Sequence, residues 1–197
     1  FDVDPNIPLI SFIGRFDGGQ KGLEIIHKML RRVDLTGFQF VFLGKGEKDW
    51  EERFNWLFSF YPKSIHCSFE FDKRLASQIY AGSDFIMIPS KFEPCGLIQM
   101  IAMRYGTIPV ARATGGLIDS ISDNRDGYLF KKYTSYDLEK SLMKAVNTWK
   151  KDKKIHNEMV KNAMTKDFSW KMSAQEYIDL YHKLFSEKEN AIHQKYP

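Results

Sequence analysis

Asp84-Phe85-Ile86-Met87-Ile88-Pro89-Ser90-Lys91-Phe92-Glu93-Pro94-Cys95-Gly96-Leu97 carries the strongest clue to this chain's architecture. Its first five residues make an apolar run of the kind found in a strand buried on both faces. Its end opens the helical pattern Leu97–Tyr105, so the residues between form a strand-to-helix loop. Open α/β sheets place their chemistry in such loops. A carboxylate, a thiol, two prolines and a glycine lie within a few residues, which is heavy punctuation for an ordinary connector. Taken alone, the stretch also fits a rigid turn with one exposed glutamate.

The same grammar repeats on either side. Pro8-Leu9-Ile10-Ser11-Phe12-Ile13-Gly14 and Phe38-Gln39-Phe40-Val41-Phe42-Leu43-Gly44 are apolar runs ending in glycine. Ile65–Phe71, Asp84–Ile88, Thr107–Ala111 and Gly127–Phe130 complete a set of six strands. Leu23, Ile26, His27 and Leu30 recur at helical spacing through Leu23–Arg32. Helices are also expected over Lys48–Phe60, with Trp50, Phe54, Leu57 and Phe58 inward, and over Lys73–Ala81 behind the N-cap Asp72. Gly106 stands where a helix C-terminal glycine belongs. Pro109 points to an irregular ladder in the fifth strand. After a short helix to about Ser122, the pattern is helical over Tyr136–Trp149, Lys153–Lys166 and about 170–186, with a polar tail to 197.

Strands alternating with helices predict an α/β fold, a doubly wound parallel sheet. The length of 197 residues suits one domain, with its core at about 7–166. The strand-end loops emerge on one carboxyl edge, where Arg15, Lys21, Lys45, Phe71, Glu93 and Gly115 could ring a single crevice.

Apolar residues at 43% support a sizeable core, and the net charge of +4 is unevenly placed. Lys144 to Lys166 holds seven lysines against Asp152 and Glu158, leaving the rest near neutral. This run reads as a solvated helix face rather than a nucleic-acid surface. Cys67 and Cys95 offer neither a disulfide framework nor zinc spacing, and fit a reducing compartment. No apolar run reaches the ~18–20 residues of a membrane span. The chain starts at Phe1 without a leader pattern, so it is expected to be a piece of something longer.

Arg15 and Lys21 flank a glycine-rich turn, Arg15-Phe16-Asp17-Gly18-Gly19-Gln20-Lys21-Gly22. Fixed cations beside backbone N–H groups suit a phosphate or diphosphate, although the spacing is neither GxxxxGK[ST] nor GxGxxG. Thr114-Gly115-Gly116-Leu117 is a second candidate anion seat. Glu93 could serve as nucleophile, general base or acceptor for hydroxyl groups. With cations for a diphosphate nearby, an acceptor for sugar hydroxyls makes physical sense. A lone carboxylate without a DxD pair is a poor Mg²⁺ site, so no metal is expected and cations should take its place. Cys95 is read as packing beside a ligand, since no histidine is placed to activate it.

Together these motifs resemble a family. Gly14-Arg15 with Gln20-Lys21-Gly22, Ser90-Lys91-Phe92-Glu93-Pro94-Cys95-Gly96-Leu97, Tyr105-Gly106-Thr107, Thr114-Gly115-Gly116-Leu117 and Phe168-Ser169-Trp170 are similar to the carboxyl-terminal half of bacterial glycogen synthases and plant starch synthases. The resemblance runs from about Ile7 to Tyr181. It implies the Rossmann-like, nucleotide-sugar-binding half of a two-domain glycosyltransferase of the GT-B type, whose amino-terminal acceptor domain is absent from these residues. It implies retaining transfer of glucose from ADP-glucose, or UDP-glucose, to the non-reducing end of an α-1,4-glucan. The leaving phosphate is one candidate for assisting deprotonation of the acceptor.

On that resemblance Arg15, Lys21 and Glu93 are the catalytic positions, the two cations neutralising the leaving diphosphate. Gly14, Phe71, Cys95, Gly96, Leu97, Thr114, Gly115 and Gly116 bind the donor, with Phe71 stacking on the base. No cofactor, membrane or nucleic acid is implied, and the α-glucan acceptor is reached through the other domain. The compartment implied is the cytoplasm, or a plastid in a plant or alga.

Two departures stand out. Phe16-Asp17-Gly18-Gly19 makes the first loop a residue longer than in many bacterial relatives. Ile98-Gln99-Met100-Ile101 stands where broader retaining glycosyltransferases often carry a second glutamate. His27, His66, His156, His182 and His193 match no site position and are read as structural or surface. Another retaining GT-B enzyme and a noncatalytic nucleotide- or glucan-binding module remain the alternative readings.

Overall fold

The apolar runs become parallel strands because each is bounded by a helix that returns the chain to the same edge. In the computed structural model, which describes residues 4–195 and side chains as far as 187, the elements alternate regularly. The strands are β1 (Leu9–Ile13), β2 (Gln39–Leu43), β3 (Ile65–Ser68), β4 (Phe85–Ile88), β5 (Ile108–Arg112) and β6 (Tyr128–Phe130). The helices are α1 (Leu23–Leu30), α2 (Lys48–Phe60), α3 (Lys73–Gly82), α4 (Ile98–Tyr105), α5 (Gly116–Ser120), α6 (Ser135–Lys151), α7 (Lys153–Thr165) and α8 (Trp170–Lys195).

Strand order in the sheet is β3-β2-β1-β4-β5-β6, every pair parallel. The chain moves outward from β1 to β3, then crosses back to β4 and moves outward the other way. Right-handed crossovers therefore place α1 and α2 on one face and α3 and α4 on the other. The expected doubly wound, Rossmann-like sheet is what forms. Its topological switch point falls between β1 and β4, which pair through Ile10–Phe85 and Ser11–Ile86. The loops after these two strands are thus neighbours although distant in sequence, and the crevice between them is where ligands of this architecture bind.

The core is aromatic on the α1/α2 side. Phe16 and Phe54 meet edge to face at 5.3 Å, and Phe42 and Phe54 at 4.9 Å. All three are fully buried, each contributing roughly 1.5–3 kcal/mol relative to exposure. At the amino edge Asp84 accepts from the Leu9 amide at 2.9 Å and from the Trp149 indole N–H at 2.7 Å, tying β4 to β1 and α6.

Three expectations change. β3 ends at Ser68, whose hydroxyl turns to the Glu70 carboxylate at 2.7 Å, so the chain leaves the ladder before Phe71. Pro109 does not disturb β5. Ile108 donates to Asp84 on the β4 side, so the ring nitrogen of Pro109 faces the other way, below the point where β6 pairing starts at Val110. The last helix continues to Lys195 rather than stopping near 186, since neither Gly nor Pro interrupts Trp170–Lys195. The end of the polar tail, residues 196–197, and the side chain of His193 lie outside the described residues. Two compact units result, residues 1–165 and 166–197. Among the described residues no helix is long and apolar enough to cross a membrane.

Candidate functional site

Three loops meet at the switch point. The loop after β1 reaches the loop after β4 because Gly22, at φ +75°, lies against the carbonyl of Pro89. A Cβ there would stand 2.2 Å from that oxygen, so only glycine permits the approach. The loops are then laced together: the Lys91 amide donates to the Gln20 carbonyl at 2.7 Å, and the Gln20 side-chain amide to the Phe92 carbonyl at 3.3 Å. The loop after β5 joins by the same device. Cβ atoms on Gly115 and Gly116 would stand 2.0 Å from the Glu93 carbonyl and 2.3 Å from the Cys95 carbonyl. The Gly116 amide donates to the Glu93 carbonyl at 3.0 Å.

This lacing brings Lys21 to Glu93. Lys21 Nζ lies 2.8 Å from Glu93 Oε2, both side chains largely withdrawn from solvent. The Ser90 hydroxyl donates to the same carboxylate oxygen at 3.0 Å. Ammonium and hydroxyl both meet Oε2, which leaves the other carboxylate oxygen open to accept. Arg15 is more open: its guanidinium donates to Gln20 Oε1 at 2.8 Å and lies 3.5 Å from Asp17. An exposed cation beside a buried ion pair leaves positive charge at the mouth of the crevice, where an anion can approach.

Gly14 and Arg15 also line a cavity of about 270 Å³ with Leu43, Glu70, Phe71 and Ala76. Its walls at Ile13, Leu43 and Ala76 are apolar, and Phe71 stands over the rim with 85% of its surface exposed. A large exposed aromatic beside an apolar cavity suits a planar ring. Cys95 and Leu97 are exposed, Gly96 and Thr114 partly covered, all on the loops that carry Glu93 and Gly115. The site residues read from the sequence therefore fall into two linked clusters: Lys21, Glu93, Cys95, Gly115 and Gly116, and Gly14, Arg15 and Phe71. Among the described residues, no group of three His, Cys, Asp or Glu side chains could hold a metal ion.

Sequence reasoning missed the braces behind the site. Arg112, at the end of β5, donates to the Lys91 carbonyl at 2.5 Å and to that of Ser90 at 3.4 Å, with its guanidinium 5.4 Å from the centre of the Tyr133 ring. The Tyr133 hydroxyl donates to Glu24 in the first turn of α1. Burial, then the Glu24 carboxylate, pushes the Tyr133 hydroxyl far above its ordinary range, so it remains a donor. Gln99 is fully buried and donates to the Gly96 carbonyl at 2.8 Å and to Ser120 Oγ at 2.9 Å, joining α4 to α5. An arginine closing an apolar strand was a signal for Arg112; nothing in the sequence links Glu24 to Tyr133.

Comparison with known proteins agrees with this architecture. Residues 2–166 match the family described as glycosyl transferases group 1. The glycogen synthase of Petrotoga mobilis is 47% identical over 184 residues, covering 90% of this chain and 38% of that protein. The glycogen synthase of Thermodesulfovibrio yellowstonii is 42% identical over 182 residues, covering 92% and 36%. Among solved structures, the catalytic domain of starch synthase IV from Arabidopsis thaliana, bound to ADP and acarbose, superposes with a TM-score of 0.82 at 36% identity, covering 93% of this chain and 39% of that one. Sucrose-phosphate synthase from Thermosynechococcus elongatus shares the fold, with a TM-score of 0.72 at 23% identity, covering 94% and 47%. The chain thus spans less than two-fifths of the length of these glycogen synthases.

Proposed function

Because this chain belongs to the group 1 glycosyl transferases, we propose that it is the nucleotide-sugar donor half of a glycogen or starch synthase. In the whole protein, glucose passes with retention from ADP-glucose to the non-reducing end of an α-1,4-glucan. The observation that carries this reading is the meeting of Lys21, Ser90 and Glu93 at the switch point, beside the cavity rimmed by Phe71.

In this reading the base lies against Phe71 over the apolar cavity and the diphosphate runs past Arg15 toward Lys21. As the bond to the sugar breaks, negative charge grows on the departing phosphate. Fixed cations stabilise that charge without reorganising, which lowers the barrier. Lys21 then divides its three donors between Glu93 and phosphate, and Glu93 turns its free oxygen to sugar hydroxyls. Arg15 and Lys21 do the work that a divalent ion does elsewhere. Gly14, Cys95, Gly96, Leu97, Thr114, Gly115 and Gly116 shape the walls around diphosphate and sugar. ADP-glucose is favoured over UDP-glucose by the 36% identity to a starch synthase bound to ADP. The acceptor glucan enters through the part of the longer relatives that this chain does not span, so this chain alone binds donor and transfers poorly. The free thiols Cys67 and Cys95 suit the cytoplasm, or a plastid if the source is a plant or alga.

Calorimetric titration of ADP and UDP with EDTA present tests this. The expected result is ADP binding that survives chelation, exceeds that of UDP and is lost in Lys21→Ala. Binding that requires a metal, or that ignores Lys21→Ala, overturns the assignment.

A further inference from the structure

A hollow of about 490 Å³ opens between β6 and the first turns of α6. β6 is the edge strand farthest from β3, and the hollow shares no lining residue with the cavity below Phe71. Its volume is within the ~300–1,000 Å³ usual for ligand sites. Four lysines line it, Lys131 and Lys132 following β6 and Lys140 and Lys144 on α6, against two carboxylates, Asp123 and Asp137.

The carboxylates are already engaged. Asp123 accepts from the Leu129 amide and from the Asn124 side-chain amide, each at 2.8 Å, which closes the turn before β6. Asp137 accepts from the hydroxyl of Thr134, the N-cap of α6. Lys144 donates to Asn124. Among the described residues Lys131, Lys132 and Lys140 have no ion-pair partner, so three uncommitted ammonium groups border the hollow. A hydroxyl completes the wall. Ser141, on α6, is only 9% exposed and makes no hydrogen bond among the described residues. A serine inside a helix ordinarily turns its hydroxyl back to a carbonyl of the preceding turn or out to water. This one opens on the hollow, where it can give or take a hydrogen bond.

A cation is repelled by such a wall, and an apolar ligand would strand three ammonium groups. A nucleic-acid backbone needs a track of cations, whereas these gather from two elements around one hollow. A compact dianion whose tetrahedral oxygens accept from several donors at once meets the ammonium groups and the hydroxyl together. We propose that the β6/α6 hollow binds a phosphate dianion, free or as the phosphomonoester of a small metabolite, on Lys131, Lys132, Lys140 and Ser141. The place of the hollow links it to the crevice. Tyr133 follows Lys132 directly, its hydroxyl donates to Glu24, and its ring faces Arg112, the donor to the Ser90 and Lys91 carbonyls. An anion that fixes Lys131 and Lys132 therefore steadies the brace under the Glu93 loop. The site stands on its own residues and does not depend on the donor reading.

Amide-shift titration of the isotope-labelled chain with inorganic phosphate and with glycerol phosphate, at about pH 8 where the group is dianionic and at constant ionic strength, tests the site. The expected result is saturable shifts over residues 131–141, weakened about fivefold or more in the double variant Lys132→Gln, Lys140→Gln and less in Ser141→Ala. Both lysines are exposed, so the double variant should keep its melting temperature. The same shifts in Lys21→Ala separate this site from any anion in the crevice. Tighter binding of the ester assigns the site to a phosphorylated metabolite, tighter binding of the free ion to phosphate itself, and either supports it. No shifts over 131–141, shifts that survive the lysine substitutions or vanish with Lys21→Ala, or equal shifts with chloride overturn it. Amide exchange over residues 89–97 should slow as the hollow fills in the parent chain and much less in Tyr133→Phe. Equal slowing in both, or none in either, overturns the link to the brace. ADP titration of the parent chain reports on the donor reading separately, so either can fail without the other.

Discussion

Lys21 Nζ and Glu93 Oε2, 72 residues apart in sequence on the loops after the neighbouring strands β1 and β4, lie 2.8 Å apart in a partly buried ion pair. Each is the other's main charge partner, with Ser90 as the third member. Lys21→Met or Glu93→Gln alone should lower unfolding stability by about 1.5–3 kcal/mol, since a charged hydrogen bond is lost and its partner left stranded. The double substitution should cost clearly less than the two single costs together. Urea unfolding of the four proteins checks this, and strict additivity would refute the coupling.

Arg112 should act on the site through the Glu93 loop, because its donors end on the carbonyls of Ser90 and Lys91. Arg112→Met should raise amide hydrogen exchange over residues 89–97 and weaken ADP. Tyr133→Phe, which removes the donor to Glu24, should reproduce a smaller part of both effects. Unchanged exchange in the loop would leave Arg112 as ordinary surface packing.

Phe71 is so exposed that folding gains little from it. Phe71→Ala should leave the melting temperature within a degree or so while weakening ADP by about three- to tenfold, the worth of one aromatic stack. Loss of stability without loss of affinity would count against its role in the site.

The two thiols should react very differently. Burial pushes the Cys67 thiol up to about 12, whereas Cys95 is exposed on the Glu93 loop. A disulfide reagent at pH 8 should label Cys95 quickly and Cys67 only on unfolding. Saturating ADP-glucose should slow the Cys95 reaction if the donor lies where proposed.

Burial lowers the pKa of His27, His66 and His156 below the ordinary value of 6.5. Each is neutral in the folded state at a pH where the unfolded chain would already bind a proton. Their contribution to stability is therefore complete above about pH 6.5 and lost as pH falls through the folded values. Thermal unfolding should move to lower temperature between pH 7 and pH 5. His156→Gln should flatten that slope, because its ring packs edge-on to Phe85 in the core.

Much of this molecule was legible because its signals are local. Leu23, Ile26 and Leu30 mark α1 by spacing alone, Asp72 caps α3 through the Arg74 and Leu75 amides as its residue type predicts, and Gly106 closes α4 at φ +88°. Boundaries failed where the deciding partner was elsewhere. The apolar run predicts β3 through Phe71, yet its neighbour β2 supplies partners only as far as Leu43, opposite Ser68. By sequence the glycines of Thr114-Gly115-Gly116 suggest room for an anion. Their position shows a further reason for having no side chain: the backbone of Glu93 and Cys95 passes where a Cβ would be.

The alternation of strand and helix, the parallel sheet and the loops that carry Arg15, Lys21, Glu93 and Gly115 are written locally, because periodicity and turn chemistry act over a few residues. That Lys21 pairs with Glu93, and that Arg112, Tyr133 and Glu24 brace them, follows from the assembled fold alone. Those relationships depend on the strand order that sets β4 beside β1 and on helix packing that brings distant surfaces together. A side chain's charge is written in the chain, but the partner that meets it is chosen by the fold.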